Sequence, residues 1–552
     1  MAEYLAPAVY VEEKSFRSKS IEGVSTSTAA FCGPARRGPA SGTPELLTSL
    51  TDFERIYGGS GPLVLGAASV PNYLAHAVRA FFDNGGRRLY VRRVINGGAA
   101  GSFALTNCTL RARTNGTAGN GTVTLTEVAT PVTGAAIDAL PVGTVVRWDD
   151  GGDHFAYKAA TGFRNTTDDA AATPLSPVSA LTVDFRGVDA DGFVQVEEDL
   201  GYHPSHARYI GAVLAMAPTS RSAELNNVFG LDTSTSPSVA DLRASVQSAA
   251  NGVVLGGGTD GAAPLAASYT LGLADLEALD DISTVAAPGH TEYDAAGIRA
   301  ALITHVERRG LDRVALLESA RGATVSDVRD ARASVDSKYA AMYFPWIVVS
   351  NPLATAANAS EPKELLVPPS GAVAGLFARS DNDNGVWKSP ANEVVQGALR
   401  FERAVSFGES EVLNPLGVNC LRYFPGRGHR VWGARTISSD PEWKYLSVRR
   451  YFNYLEASIE RGTQWAVFES NGPALWVNVT QTIDSFLYGE WRNGALLGSS
   501  PKEAYFVRCD LTTMTQSDLD NGRMICLIGV AVVKPAEFVI FRIGQKTATA
   551  RS

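Results

Sequence analysis

Residues 98–200 show a two-residue alternation of apolar and polar positions in short runs, such as 122–126 and 145–148. Alternation with this period is typical of strands that bury one face, so the segment is predicted to form a small β-rich insertion. The residues before it combine turn signals with a predicted helix near 73–82 and a strand at 88–94. These elements indicate one half of a domain.

The pattern changes between residues 205 and 335, where helical segments separate short apolar runs. The runs lie at 210–217, 253–255, 285–287 and 313–318. Short apolar runs between helices are typical of strands that are buried on both faces, so we expect a mainly parallel α/β layer here. Together with the insertion, this predicts a multidomain fold that combines α/β and α+β parts.

The last third of the chain, from about residue 336, is predicted to form a large compact domain. Seven of the eight tryptophans lie between Trp346 and Trp491, and buried aromatic rings contribute strongly to a core. The clearest helix of this domain is predicted at 441–461. Asp440 suits its N-cap, Pro441 its first helical position and Gly462 its C-terminal cap.

This helix is predicted to have two different sides. An apolar stripe that we expect to face the core consists of Tyr445, Val448, Phe452, Leu455 and Ile459. At about 100° per residue, the opposite side carries Arg450, Asn453, Ala457 and Arg461. We therefore expect a basic strip on that side.

Both ends of the chain carry short segments with strand propensity. Residues 8–11 follow Pro7 and precede a charged, Ser-rich stretch, which indicates an arm and not a core strand. Residues 537–543 are apolar on both faces, and the short polar stretch after Gly544 cannot cover them. We expect both segments to be donated as strands to neighbouring molecules. The residues concerned are Val9, Tyr10, Val11 and Glu12 at one end and Phe538, Val539, Ile540, Phe541, Arg542 and Ile543 at the other.

Composition narrows the possible functions. A chain of 552 residues with 45% hydrophobic content can bury more than one core, so we expect about two to four domains. Its net charge of -8 argues against nucleic acid as a partner. Five widely spaced cysteines without a CxxC pair indicate reduced thiols. The opening residues show no signal or transit peptide, and the longest apolar run, 524–533, is about half of the roughly 20 residues that a membrane-spanning helix needs. We expect folding in a bacterial cytoplasm, without membrane insertion.

Three short patterns could bind a ligand, but each has a simpler structural interpretation. The glycine-rich run 256–261 lacks the lysine and hydroxyl of a P-loop and the spacing of a dinucleotide motif, which favours a tight turn. Residues 381–385 resemble a calcium loop without its bidentate glutamate. His203 and His206 lack acidic or thiol partners at zinc-ligand spacing. We therefore expect no cofactor and no metal.

Residues 422–435 interleave arginines with aromatic residues. The acidic balance of the chain favours a protein interface over single-stranded nucleic acid for this segment. No motif of a catalytic nucleophile is apparent, so we do not expect an enzyme. An enzyme with a site near Asp260, Pro288 or Glu318, at the carboxyl ends of the parallel strands, is one alternative. A capsid or surface-layer subunit is another.

Several segments resemble contractile tail sheath proteins of phages and phage-tail-like injection systems. Residues 4–13 (YLAPAVYVEE) resemble the opening of that family, and residues 339–352 (YAAMYFPWIVVSNP) resemble an internal segment. Four C-terminal motifs follow in the family's order: 386–392 (VWKSPAN), 413–419 (LNPLGVN), 432–440 (WGARTISSD) and 448–455 (VRRYFNYL). The likeness is absent over about 98–200.

The resemblance implies an inner domain that combines the N-terminal segment with the C-terminal third, while the middle of the chain projects outward. It also implies donated terminal strands and stacked rings, hexameric as in the family, around an inner tube, with baseplate and tail terminator or cap proteins as further partners. The predicted division is a donor arm (1–20), the first part of the inner domain (21–97), a β-rich outer insertion (98–204), an α/β middle domain (205–335), the second part of the inner domain (336–535) and a second donor arm (536–552).

The expected function is therefore that of a contractile sheath subunit, which polymerises around a tube and contracts to drive it through a target envelope. Donated strands would tether subunits while they slide past one another. Arg450, Asn453 and Arg461 are candidates for contact with the inner tube, with solvation or pairing to a neighbouring sheath subunit as the alternative. The sequence leaves open whether the particle is a phage tail, a bacteriocin or a cellular injection system.

Overall fold

The computed structural model describes residues 20–308, 310 and 312–542, and the chain divides into two compact units. The larger unit comprises Thr26–Gly385 and Ser389–Leu446. Among the described residues, the smaller unit comprises 20–25, Val386–Lys388 and 447–542. Both units combine helices with strands, so the mixed fold class expected from the sequence is confirmed.

The strands in chain order are β1 (Thr28–Gly33), β2 (Glu45–Leu47), β3 (Leu63–Leu65), β4 (Ala68–Val70), β5 (Arg88–Arg93), β6 (Ser102–Leu105), β7 (Cys108–Ala112), β8 (Thr122–Val132), β9 (Val145–Asp149), β10 (Asp153–Lys158), β11 (Phe163–Asn165), β12 (Ala171–Ala172), β13 (Val178–Val188), β14 (Val194–Leu200), β15 (Phe229–Asp232), β16 (Val253–Val254), β17 (Thr284–Ala286), β18 (Val314–Glu318), β19 (Ala340–Phe344), β20 (Ile347–Ser350), β21 (Glu364–Val367), β22 (Ala398–Phe401), β23 (Val418–Phe424), β24 (Gly428–Val431), β25 (Tyr505–Arg508) and β26 (Leu527–Val530).

The α-helices are α1 (Leu50–Tyr57), α2 (Tyr73–Asp83), α3 (Ile210–Val213), α4 (Arg221–Asn226), α5 (Val239–Ala249), α6 (Ala266–Ala274), α7 (Ala295–Val306), α8 (Val325–Ala333), α9 (Ser370–Asn384), α10 (Phe407–Leu413), α11 (Leu446–Thr463), α12 (Pro473–Arg492), α13 (Pro501–Ala504) and α14 (Gln516–Asp520). Within the described ranges, none of them has the length and apolar character needed to cross a bilayer.

The larger unit is built on an eight-stranded sheet in the order β2-β5-β1-β17-β18-β19-β23-β24. The six inner strands are parallel, and each edge strand runs antiparallel to its neighbour. Successive side chains enter different cores: Phe31 and Leu316 belong to one, Ala30 and Leu317 to the other. Burial on both faces explains why these strands are continuous apolar runs.

Helices cover both faces of this sheet. Side chains of α2 and α9, such as Phe81 and Phe377, pack in the first core, and those of α6 and α7 pack in the second. Two glycines one turn apart let α9 approach the backbone of α2. A Cβ on Gly371 would lie 2.4 Å from the carbonyl oxygen of Ala77, and one on Gly375 would lie 2.4 Å from that of Phe81.

Local predictions are confirmed where the element has a strong pattern of its own. The predicted helix near 73–82 is α2, the strand at 88–94 is β5, and the runs at 285–287 and 313–318 correspond to β17 and β18 of the parallel sheet. The prediction was wrong for the other two runs, 210–217 and 253–255, which supply no strand of the parallel sheet.

The run at 210–217 begins with the helical turn α3. The run at 253–255 contains β16, which pairs antiparallel with β8 in the insertion. A short apolar run does not by itself distinguish a buried strand from a buried helical turn, and its sheet depends on partners that are distant in sequence.

Strand pairing also places domain boundaries differently from the predicted ones. Because β18 and β19 are neighbours in one sheet, the predicted boundary at 335–336 falls inside a single domain. The larger of two hydrophobic cores in the insertion extends from Cys108 to Leu255, so the insertion continues well beyond residue 204. The predicted second part of the inner domain, 336–535, is divided between the two units, with Val386–Lys388 and 447–535 in the smaller one.

The smaller unit packs α11 and α12 with the two-stranded sheet of β25 and β26 around its own core. The hydroxyl groups of Tyr451 and Tyr454 each donate a 3.0 Å hydrogen bond to the carboxylate of Glu490. Burial raises the pKa of this carboxyl group, although the two hydrogen bonds oppose the shift. The pair of tyrosines thereby links α11 to α12 through the core.

The helix predicted at 441–461 differs at both ends. A 3-10 turn, Pro441–Trp443, comes first, and the Asp440 side chain accepts a 2.9 Å hydrogen bond from the Glu442 amide within that turn. The α-helix itself begins at Leu446, and Gly462 lies inside it instead of ending it. Asp440 and Pro441 do mark the start of a helical turn, but that turn is the 3-10 turn and not the α-helix. The same two residue types suit the start of either kind of helix.

Candidate assembly surface

The C-terminal segment of the smaller unit exposes consecutive apolar side chains. Phe538, Val539, Ile540 and Phe541 are 69%, 67%, 78% and 82% exposed. Within the described part of the chain, residues 538–542 belong to no strand, and Ile543 lies outside it. Burying each such side chain is worth roughly 1.5–3 kcal/mol, so this run strongly favours being covered.

The sheet formed by β25 and β26 lies in the same unit. Across the described residues it contains only these two strands, and two strands alone are marginally stable. Its outer side chains Phe506 and Leu527 are 55% and 48% exposed. A Cβ on Gly529 would lie 2.2 Å from the Phe506 ring, so this glycine leaves room for the ring to lie across its partner strand.

Residues 20–25 pack against α11 within the smaller unit. The amide of Val24 donates a 3.1 Å hydrogen bond to the Ser458 hydroxyl, and Ile21 belongs to the core of the unit. A Cβ on Gly23 would lie 2.1 Å from the Tyr454 hydroxyl oxygen, so only glycine fits at this crossing. The predicted donor residues Val9, Tyr10, Val11 and Glu12 lie outside the described residues.

The basic strip predicted on α11 is not exposed along its length. Arg450 and Asn453 are only 3% and 5% exposed, whereas Arg461 is exposed. The Asn453 carboxamide oxygen accepts a 2.7 Å hydrogen bond from Arg449, which also donates to Glu456 at 2.9 Å. Arg450 and Asn453 are therefore covered within the single chain. A helical projection shows which residues share a side of the helix but not what covers that side.

The residues named for an alternative enzyme site are engaged in holding the larger unit together. The Asp260 carboxylate accepts 2.8 Å hydrogen bonds from the backbone amides of Val64 and Thr117. Glu318 is fully buried; it accepts a hydrogen bond from the Ser370 hydroxyl at 2.6 Å and from the Gly289 amide, next to Pro288. Burial raises the pKa of Glu318 to about 8.

The three ligand-like patterns have structural roles. In the run 256–261, a Cβ on Gly258 would lie 2.6 Å from the Gly116 carbonyl oxygen and one on Gly261 would lie 2.5 Å from that of Asn96, so close backbone packing accounts for these two glycines. Residues 381–384 form the last turn of α9, which ends at Gly385. The rings of His203 and Tyr157 stack with centroids 3.7 Å apart. The described residues contain no group of three or more His, Cys, Asp or Glu side chains placed to hold a metal.

The arginine-rich segment forms the hairpin of β23 and β24. The guanidinium of Arg427 lies 5.6 Å from the centroid of the Phe424 ring and 5.7 Å from that of Trp432. Arginine stacked on aromatic rings is common at protein interfaces. The interface interpretation of this segment stays a prediction.

Family models match two adjacent ranges of the chain. The phage tail sheath protein central domain matches residues 262–437, and the phage tail sheath C-terminal domain matches residues 438–546. Together they cover more than half of the sequence. The insertion precedes both ranges.

Similar proteins found among curated sequences are also described as tail sheath proteins. The chain is 27% identical over 263 residues to a putative prophage major tail sheath protein of Pseudomonas aeruginosa (strain UCBPP-PA14), a match that covers 47% of this chain and 63% of that protein. It is 25% identical over 181 residues to the tail sheath protein of Enterobacteria phage T4, covering 31% of this chain and 26% of that protein. The chain thus aligns with less than two thirds of the length of these relatives.

Solved structures extend the likeness in fold to nearly the whole chain. The helical sheath of the anti-feeding prophage in its contracted state matches with a TM-score of 0.57 at 22% identity, over 99% of this chain and all of that one. The contracted PVC sheath of an extracellular contractile injection system matches with a TM-score of 0.56 at 20% identity, over 99% of both chains. The fold is that of a sheath protein. Because the two sheath domain models together match more than half of the sequence, the chain belongs to the contractile tail sheath protein family.

Proposed function

We propose that this protein is a structural subunit of a contractile sheath, which polymerises as stacked rings around an inner tube and contracts to drive the tube through a target envelope. The observation that carries the proposal is the exposure of Phe538, Val539, Ile540 and Phe541. Contiguous exposed apolar side chains mark surfaces that bind another protein. The kind of assembly, a contractile sheath, is inferred from the family to which the chain belongs.

The acceptor for residues 538–542 is the β25–β26 sheet of a neighbouring copy. This sheet has only two strands in the described part of the chain and exposes Phe506 and Leu527, so an added strand would extend its backbone ladder and cover apolar surface. The same kind of donation is proposed for Val9, Tyr10, Val11 and Glu12 at the other end.

Strand donation is strong enough to tether subunits while they move. About four or five backbone hydrogen bonds for each strand, at a net ~0.5–1.5 kcal/mol each, contribute several kcal/mol before side chains are counted. An interface between one end of a copy and the sheet of the next does not close on itself, so it generates a helical array. Contraction then draws on the free-energy difference between two packings of the same subunits, and no catalysed reaction is required.

Contact with the inner tube is proposed for Arg461, which is exposed in the last turn of α11. A small charged contact can hold the extended sheath and release it on contraction more readily than a large apolar one. Arg450 and Asn453, which were also candidates, are too deeply buried in the single chain to take part without a rearrangement.

Further features of the assembly follow from the same family. Its rings are proposed to be hexameric, its ends to meet a baseplate and a tail terminator or cap protein, and its subunits to assemble in a bacterial cytoplasm into a phage tail or phage-tail-like particle. Neither nucleic acid nor a membrane is a proposed partner.

Electron microscopy of the purified protein, alone and with its tube protein, tests the proposal. We expect striated hollow tubes whose length follows that of the tube protein when it is present. Closed shells, flat lattices or a persistent monomer at high concentration would contradict it.

A further inference from the structure

Two cysteines of the smaller unit lie opposite each other at one end of the β25–β26 sheet. The last pair of the antiparallel ladder joins Arg508 to Leu527, so the next position on each strand is Cys509 and Cys526. Opposed residues of antiparallel strands have Cα atoms about 4.5–5.5 Å apart, within the roughly 4.4–6.8 Å that a disulfide spans. Both residues are free thiols.

The chain between the two cysteines is held by its own contacts. It contains the helix α14, whose Thr515 and Asp518 form a capping box, and Arg523 pairs with Asp518 at 2.9 Å. The Thr513 hydroxyl donates a 2.7 Å hydrogen bond to the carbonyl of Ile525, the residue before Cys526. The thiols are therefore already juxtaposed in a formed loop, and joining them requires no refolding of it.

We propose that Cys509 and Cys526 are a redox-modification site, at which a reversible disulfide closes the loop of residues 510–525 and fastens β25 to β26. The oxidant is of the class of small disulfides, such as oxidised glutathione. A thiolate of the pair attacks this disulfide and releases one glutathione thiol. The second protein thiolate then attacks the resulting mixed disulfide and releases the other, so that two protein thiols lose two protons and two electrons and one glutathione disulfide becomes two thiols.

Burial makes this reaction slow at neutral pH. It raises the pKa of Cys509, although the neighbouring Cys526 thiol opposes this shift, and it raises the pKa of Cys526 to about 12. Because the thiolate is the attacking species, the rate should increase roughly tenfold for each pH unit below these pKa values. A slow reaction suits a link that forms after the protein leaves a reducing compartment.

The test incubates dilute full-length protein with oxidised glutathione at pH 7 and at pH 9, followed by alkylation of free thiols and digestion with trypsin without reduction. Cleavage after Arg508, Arg523 and Arg542 separates the two cysteines into different peptides, 509–523 and 524–542. We expect these two peptides to be joined, faster at pH 9, and to separate when a thiol reductant is added.

Cys509→Ser and Cys526→Ser should each abolish the link, while the matched control Cys108→Ser, in the larger unit, should leave it unchanged. Glutathione attached to one cysteine without the internal link would overturn the proposal, and so would a link of either residue to another cysteine or to a second molecule. Unfolding by chemical denaturant, followed for every variant, verifies that the reduced proteins are folded.

The effect on assembly rests on the proposed function, since β25 and β26 are the proposed acceptor sheet. If the internal link forms in dilute monomer but no tubes appear under any condition, the sheath proposal fails and the redox site stands. If tubes form and the link never does, the redox site fails alone.

Discussion

Ile21 occupies the space into which a side chain at Gly462 would project: a Cβ on Gly462 would lie 2.5 Å from Cγ1 of Ile21. Ile21 lies at the start of the described chain, and Gly462 lies in the last turn of α11. This contact fixes the point at which the N-terminal segment crosses the smaller unit. The predicted donor arm precedes this anchor in the sequence.

Gly462→Ala should release this anchor. In a helix without such a contact, replacing Gly by Ala stabilises by roughly 0.5–1 kcal/mol, but here the added methyl group collides with Ile21. We expect a net loss of stability and faster hydrogen exchange of the Val24 amide, which donates to Ser458. Gly489→Ala in α12 is the matched control, because a Cβ there meets nothing within 4 Å. A stabilising Gly462→Ala with unchanged exchange at Val24 would contradict the contact.

The exposed C-terminal run was predictable because its pattern is local: residues 538–541 are four consecutive apolar residues with strand propensity. The burial of Arg450 was not, since a helix of known phase does not reveal which elements lie against each of its sides. The β25–β26 sheet was missed although residues 505–508 (YFVR) have strand propensity, because four residues are too few to stand out. The hydrogen bonds that Glu318 accepts from Gly289 and Ser370 depend on packing between residues far apart in the sequence, which no sequence spacing reveals.

Glu318 should make the larger unit less stable as pH rises. Its pKa is about 8 in the folded chain against an ordinary value of 4.5. Between these values the unfolded chain loses the proton and the folded chain keeps it, so unfolding is favoured by roughly 1.4 kcal/mol for each pH unit, and the effect levels off above pH 8.

Glu318→Gln should remove this slope from the free energy of unfolding, measured by denaturant titration from pH 4.5 to 8.5. Glu411→Gln, at an exposed position, should leave the slope as it is in the wild type. Parallel pH curves for wild type and Glu318→Gln would show that the Glu318 carboxyl ionises normally in the folded chain.

Phe541→Asp should separate folding from assembly. Because the Phe541 side chain is 82% exposed, the change should alter the stability of the monomer by less than about 0.5 kcal/mol. It should prevent the growth of long tubes, since a charge would be buried in the acceptor sheet. Phe541→Leu keeps an apolar side chain and should still assemble. Tubes of normal length from Phe541→Asp, scored by sedimentation and microscopy, would count against donation of this strand.

Arg461→Glu should weaken binding to the inner tube and leave the chain folded. A charged contact at an exposed position weakens with salt, so the wild-type association, measured by co-sedimentation with tube protein, should also fall as ionic strength increases. Lys502→Glu makes the same change of charge at another exposed position of the smaller unit and is the control. Equal binding of the tube by both variants would show that Arg461 does not contribute to the tube contact.

Hydrogen exchange of the amides of residues 538–541, compared between dilute monomer and assembled tubes, tests strand donation most directly. We expect fast exchange in the monomer, where these residues belong to no strand, and strong protection in tubes, where the β25–β26 sheet of a neighbour accepts them. Protection that is already complete in the monomer, or exchange that stays fast in tubes, would contradict it.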